Sequence, residues 1–129
     1  MGYDITRTEF GCTLQFFGGI KAGEMRFWLF EVVKFLHQNQ FEKFHVLADM
    51  REAEPLSSEA VEILKLGKWV FHLAGMTRSS VLLPVSHIVE DSIISAARQI
   101  DIDRGERRLY GSEPDVMTKA LRWVYEGKV

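Results

Sequence analysis

A short apolar run, Phe44 to Leu47, followed soon after by Pro55 and a helix-start signature, constrains this chain more than any other feature. The run suits one strand and is too short for a helix, so it predicts a strand over Phe44 to Met50. Asp49 is expected where that strand ends, and Arg51, Glu52 and Glu54 continue it as a charged loop. Pro55 disfavours helix before it, whereas Leu56-Ser57-Ser58-Glu59 marks the start of one. In α/β proteins a strand–loop–helix junction is where the sheet presents recognition or chemical groups. Asp49, Arg51 and Ser57 are therefore candidate recognition residues of this loop.

Elements of the same two kinds alternate through the rest of the chain. Tyr3 to Thr8 and Cys12 to Phe17 predict a hairpin, in which Cys12, Leu14 and Phe16 alternate with Thr13 and Gln15. Gly23 to about Asn39 predicts a helix with Met25, Trp28, Leu29, Val32 and Leu36 on its inner face. From Ser57 to about Gly75 a second helix buries Ala60, Ile63, Leu64, Gly67, Phe71 and Ala74. Ser79 to Val85 predicts a buried strand, and Ser86 caps a third helix with Val89, Ile93, Ala96, Ala97 and Ile100 inside and Gly105 after it. Arg107 to Tyr110 is a short strand. Ser112-Glu-Pro-Asp115 has the spacing of a capping box for a last helix that buries Met117, Ala120, Leu121 and Val124, with Val116 and Trp123 on its flank. The expected fold class is α/β, in the order β-β-α-β-α-β-α-β-α. Crossover helices imply a mostly parallel sheet, and the N-terminal hairpin adds an antiparallel strand.

At 129 residues the chain is expected to be a single domain, 1–129, with a core that needs no covalent staple. Sixteen basic residues against eighteen acidic ones, a formal charge of -2, give no electrostatic footprint for nucleic acid. Cys12 is the only cysteine, so no internal disulfide forms. The N-terminal residues carry no apolar signal core, and no apolar run reaches the ~20 residues of a membrane span. The expectation is a cytoplasmic domain with no membrane span.

No catalytic or cofactor motif is present. Gly18-Gly19 lacks the spacing of a phosphate-binding loop, and no serine sits in a G-x-S-x-G turn. His37, His45, His72 and His87 lack ligand spacing, and Cys12 in a strand reads as a small buried hydrophobe. Asp101-Ile-Asp103-Arg-Gly105 looks like the start of a calcium loop, but Ser112 stands where its last carboxylate belongs. No cofactor and no enzymatic activity are expected. The unexplained feature is apolar surplus: Phe27 and Phe30 fall opposite the first helix's inner face, and Leu66, Trp69 and Leu73 form a second row on the second helix. Covered by neighbouring elements they are core; uncovered they mark an apolar ligand pocket or, as the leading expectation, an interaction domain that binds a protein partner or forms a homodimer through the second-helix region and the loop before it.

At the second helix start, Ser57 as N-cap, Leu56 and Val61 as a hydrophobic staple and Glu59 near the helix dipole account for the local sequence. Ser58 has no such role, and its hydroxyl lies where an added phosphate is electrostatically tolerated.

Phe16-Phe17-Gly18-Gly19, Val46-Leu47-Ala48-Asp49-Met50 and Ala120-Leu121-Arg122-Trp123-Val124, together with the element order, resemble the SpoIIAA-like branch of the STAS family. Those domains are shared by sulfate transporters and anti-sigma-factor antagonists. The resemblance implies a regulatory domain that binds a protein partner. Aligned from Asp49, Ser58 takes the place of the family's phospho-acceptor serine, while Ser57, Glu59 and Ala60 replace its aspartate, second serine and glycine. The branch is in turn similar to CRAL-TRIO lipid-binding domains, which implies a small apolar or lipid-like ligand as the alternative.

Overall fold

The computed structural model describes residues 2–84 and 105–129. It opens with the hairpin of β1 (Tyr3–Thr8) and β2 (Gly11–Gly18), paired antiparallel from Tyr3 opposite Phe16 to Thr8 opposite Gly11. Gly11 holds φ at +145°, and a Cβ there would come within 2.3 Å of the His45 carbonyl oxygen. Only glycine lets the hairpin turn pass so close to the next strand.

From β2 the chain crosses through α1 (Ala22–Asn39) to β3 (Phe44–Ala53), then through α2 (Ser58–Leu73) to β4 (Met76–Leu83). β5 (Glu106–Tyr110) and α3 (Val116–Glu126) complete the described elements. The five strands lie in sequence order in one sheet, with β1 antiparallel and every other neighbouring pair parallel. The expected α/β architecture, a mostly parallel sheet with an antiparallel hairpin strand and helices packed on it, is the observed one. The predicted third helix, with Ser86, Val89, Ile93, Ala96, Ala97 and Ile100, lies outside the described residues.

Two cores sandwich the sheet. On one face Cys12, Leu14 and Phe16 of β2, Val46 of β3 and Val81 of β4 pack with Trp28 of α1 and Leu64 and Phe71 of α2. On the other, Leu47, Leu82 and Leu109 pack with Val116 and Ala120 of α3. Because β4 is covered on both sides, every residue from Ser79 to Leu83 is buried and the strand ends in the apolar run Val81–Leu83, the mark of an interior parallel strand. Ser80 points to the α3 side, fully buried, and its Oγ donates to the Ala120 carbonyl at 2.9 Å. Gly67 is the close-approach point of α2: a Cβ there would fall 2.0 Å from Cη2 of Trp28.

Three expectations need correction. β3 runs on to Ala53, so Asp49 lies within the strand and not at its end. Gln15 pairs with Asp49 but Phe17 with Glu52, so β3 holds one extra residue there, a bulge that resets the alternation and keeps both Met50 and Ala53 inside. The Ser112–Asp115 capping box does not form. Asp115 itself precedes the helix in a left-handed conformation, φ 54°, with no side-chain cap, so no helical turn can start before it. The inner row of α3 is accordingly Val116, Ala120 and Val124, while Met117 is exposed.

Candidate functional site

The loop and helix start singled out in the sequence resolve into structural chemistry. Asp49 and Arg51 are two apart on one strand, and the guanidinium grips the carboxylate through Nε to Oδ1 at 2.9 Å and Nη2 to Oδ2 at 2.7 Å. The Arg51 N–H donates to Oδ1 as well, at 3.2 Å. This bidentate pair raises the Arg51 pKa and lets a carboxylate only 9% exposed sit within a sheet. Ser57 is the N-cap of α2, and its Oγ accepts from the Ala60 N–H at 3.1 Å. Ser58, the first helical residue, is exposed. Asp49, Arg51 and Ser57 thus spend their polar groups on bonds within the fold, whereas no hydrogen bond among the described residues explains the exposed Ser58.

The surplus apolar residues behave in the opposite way. Phe27 and Phe30 of α1 are 59% and 70% exposed, and Leu66, Trp69 and Leu73 of α2 are 51%, 42% and 67% exposed. Val33 of α1, which the sequence reading passed over, belongs with them at 49%. α1 does not cover the α2 row, nor does another described element cover the α1 row. α1 and α2 each connect parallel strands of one sheet, so they run in the same direction. Both rows lie on the outer surface of the helix layer, where the exposed ion pair of Arg26 with Glu59 links the two helices. A groove of about 410 Å³ flanks it, where Ile5 of β1, Phe27, Phe30 and Phe35 come together with Glu31 and Lys34.

Beneath the helices lies a second feature that the sequence did not announce. A cavity of about 30 Å³ is lined by Phe16, Trp28, Met50, Leu64 and Phe71, with Lys68 and Glu106. That room suits one or two waters and falls far short of the ~300–1,000 Å³ of a small-molecule site. The Trp28 Nε1–H, buried beside it, has no hydrogen-bond partner among the described residues. Glu106 is buried between two cations: Lys68 Nζ of α2 at 3.0 Å and Arg108 Nε at 2.9 Å. Lys68 and Glu106 are far apart in sequence, which is why neither stood out there.

No family model matches the chain, and no curated protein matches it.

Among the described residues, Cys12 and His45 are held within the fold. Burial pushes the Cys12 thiol up to about 12, which removes its nucleophilic form at neutral pH. His45 accepts from Arg78 Nη2 at Nε2, 3.1 Å, so its proton sits on Nδ1 and is donated to Thr77 Oγ at 3.0 Å. The same Arg78 Nη2 donates to the Val124 carbonyl at 3.0 Å and closes the C-terminal end of α3. Among the described residues no three His, Cys, Asp or Glu side chains gather as a metal site, and no described helix is long and apolar enough to cross a membrane.

Proposed function

We propose that this chain is a non-enzymatic, cytoplasmic regulatory domain of the SpoIIAA-like kind, and that it docks a protein partner or a copy of itself on the outer face of α1 and α2. One observation carries this reading: Phe27, Phe30, Val33, Leu66, Trp69 and Leu73 are all roughly half exposed or more, on helices whose inner rows are already filled. Uncovered aromatic and aliphatic groups of this kind supply the anchors of protein interfaces. The family assignment rests on the sequence resemblance and the element order, and Ser58 as a phospho-acceptor rests on that resemblance and on its exposure. A photo-crosslinker placed at Leu66 in cells tests the docking face against a control at Gln15, exposed on the sheet. A discrete protein adduct from Leu66 alone is expected. No adduct, or equal adducts from both positions, overturns the reading.

A carrier of a small apolar ligand is the second reading, favoured by the apolar cavity under Trp28. It requires that cavity to widen about tenfold, by movement of α2 away from the sheet. Native mass spectrometry after gentle purification is expected to show bound mass beyond the polypeptide if the chain is a carrier. A bare chain mass rejects it.

A further inference from the structure

The end of α3 rests on one arginine. Arg78 of β4 reaches the helix, and its Nη2 donates to the last-turn carbonyls of Val124 at 3.0 Å and Tyr125 at 3.4 Å. Carbonyls at a helix C-terminus have no partner within the helix and carry the negative end of its dipole, so a cation suits them. Gly127 caps the helix with φ at +68°, and a Cβ there would lie 3.2 Å from Nη1 of Arg78. The backbone after α3 therefore lies directly against the guanidinium.

The same Nη2 donates to Nε2 of His45 at 3.1 Å, while the other ring nitrogen meets Thr77 Oγ at 3.0 Å. This contact serves one protonation state. A neutral ring offers Arg78 a lone pair at Nε2; a protonated ring carries a hydrogen on both nitrogens and turns a donor toward a donor. Protonation also sets two positive charges side by side. Among the described residues no carboxylate pairs with Arg78 to offset them. Glu9, in the hairpin turn beside His45, spends its carboxylate on the Tyr125 hydroxyl at 3.5 Å. Glu42 and Lys43 before β3, and Glu126 and Lys128 at the end of α3, are exposed. Burial and then Arg78 lower the His45 pKa, as this contact requires.

We propose that His45 and Arg78 form an acid-sensitive clasp on the end of α3, closed while the ring is neutral and loosened when the ring takes up a proton. The response is a local opening of residues 123–127, distinct from a loss of overall stability. Opening there uncovers the fully buried Val124 and parts Tyr125 from Phe10, whose rings meet edge to face at 5.3 Å. An apolar surface is thereby presented beside the hairpin turn in acid and withdrawn at neutral pH.

Amide hydrogen exchange on the full chain tests the clasp over about pH 5–8, the range in which histidine titrates, with each rate divided by its unstructured value at the same pH. Opening of the last turn of α3 is expected to rise below pH 6.5, by at most about tenfold per pH unit because one proton is taken up, while α1 keeps its protection. His45→Gln retains a neutral acceptor for Arg78 and is expected to abolish the rise. Arg78→Met is expected to leave the last turn open at every pH. His37 and His72 lie on α1 and α2, across the sheet from α3, so the His45 substitution assigns the response to one ring. A last turn whose protection is independent of pH overturns the clasp. So does an equal rise in His45→Gln, or a loss of protection shared equally by α1.

Discussion

The ring of Trp28 occupies the space where a Gly67 side chain would stand, with Cη2 only 2.0 Å from the place of a Cβ. α1 therefore reaches under α2, and the two helices hold their spacing because one position carries no side chain. Alanine favours a helix over glycine by about 1 kcal/mol, so an unobstructed Gly67→Ala would stabilise. Here the methyl collides with an indole buried to 1% exposure, and overpacking of this kind costs ~1–3 kcal/mol. Urea denaturation of Gly67→Ala is expected to show a net loss. A net gain would mean that the helices separate freely.

Ser57 and Ser58 are neighbours with different roles, and alanine substitution separates them. Ser57→Ala removes the acceptor for the Ala60 N–H and is expected to cost ~0.5–2 kcal/mol. Ser58→Ala, at an exposed first-turn position, is expected to change stability by less than about 0.5 kcal/mol. Equal losses in thermal melts would contradict the cap assignment.

Arg51→Met leaves the Asp49 carboxylate within the sheet without its bidentate partner. The expected loss is about 1.5–3 kcal/mol, the worth of hydrogen bonds to a charged group. Adding Asp49→Asn should recover part of it, because the charge that needed pairing is gone. A single variant as stable as the parent would show that water already serves Asp49.

Burial, and then the nearby Arg78, lower the His45 pKa below its ordinary 6.5. In the window below 6.5 the unfolded chain binds this proton more readily than the folded one, so stability contributed by neutral His45 falls as pH drops through it. The protonated ring also loses its acceptor for Arg78, whose other bonds hold the end of α3. His45→Gln is expected to be less sensitive than the parent between pH 6.5 and the acid limit of the transition. Parallel pH profiles for the two would remove His45 as the cause.

Local pattern was enough to read the elements whose neighbours simply cover one face. The alternation of Cys12, Leu14 and Phe16 and the row of Ala60, Ile63, Leu64, Gly67 and Phe71 both point where expected. It failed where distant groups or backbone irregularity decide. Arg51 and Glu52 look like loop residues because the bulge in β3 breaks the alternation just where Arg51 neutralises Asp49. Glu106 carries no local sign of burial, since Lys68 comes from another element. The capping spacing at Ser112 was overridden by the left-handed turn at Asp115. For the candidate site, sequence located Phe27, Phe30, Leu66, Trp69 and Leu73 off the inner faces, but periodicity cannot say whether a second layer covers them.

Sequential strand order leaves β1 and β5 as the outermost strands of the described sheet. Each carries charge along its length: Asp4 and Arg7 on the first, Arg107 and Arg108 on the last. Charged side chains along a sheet margin discourage another molecule from adding a strand there. The fold thereby guards its hydrogen-bonding margins against fibre-like growth, and a partner is steered to shape and side-chain chemistry instead of to bare peptide groups.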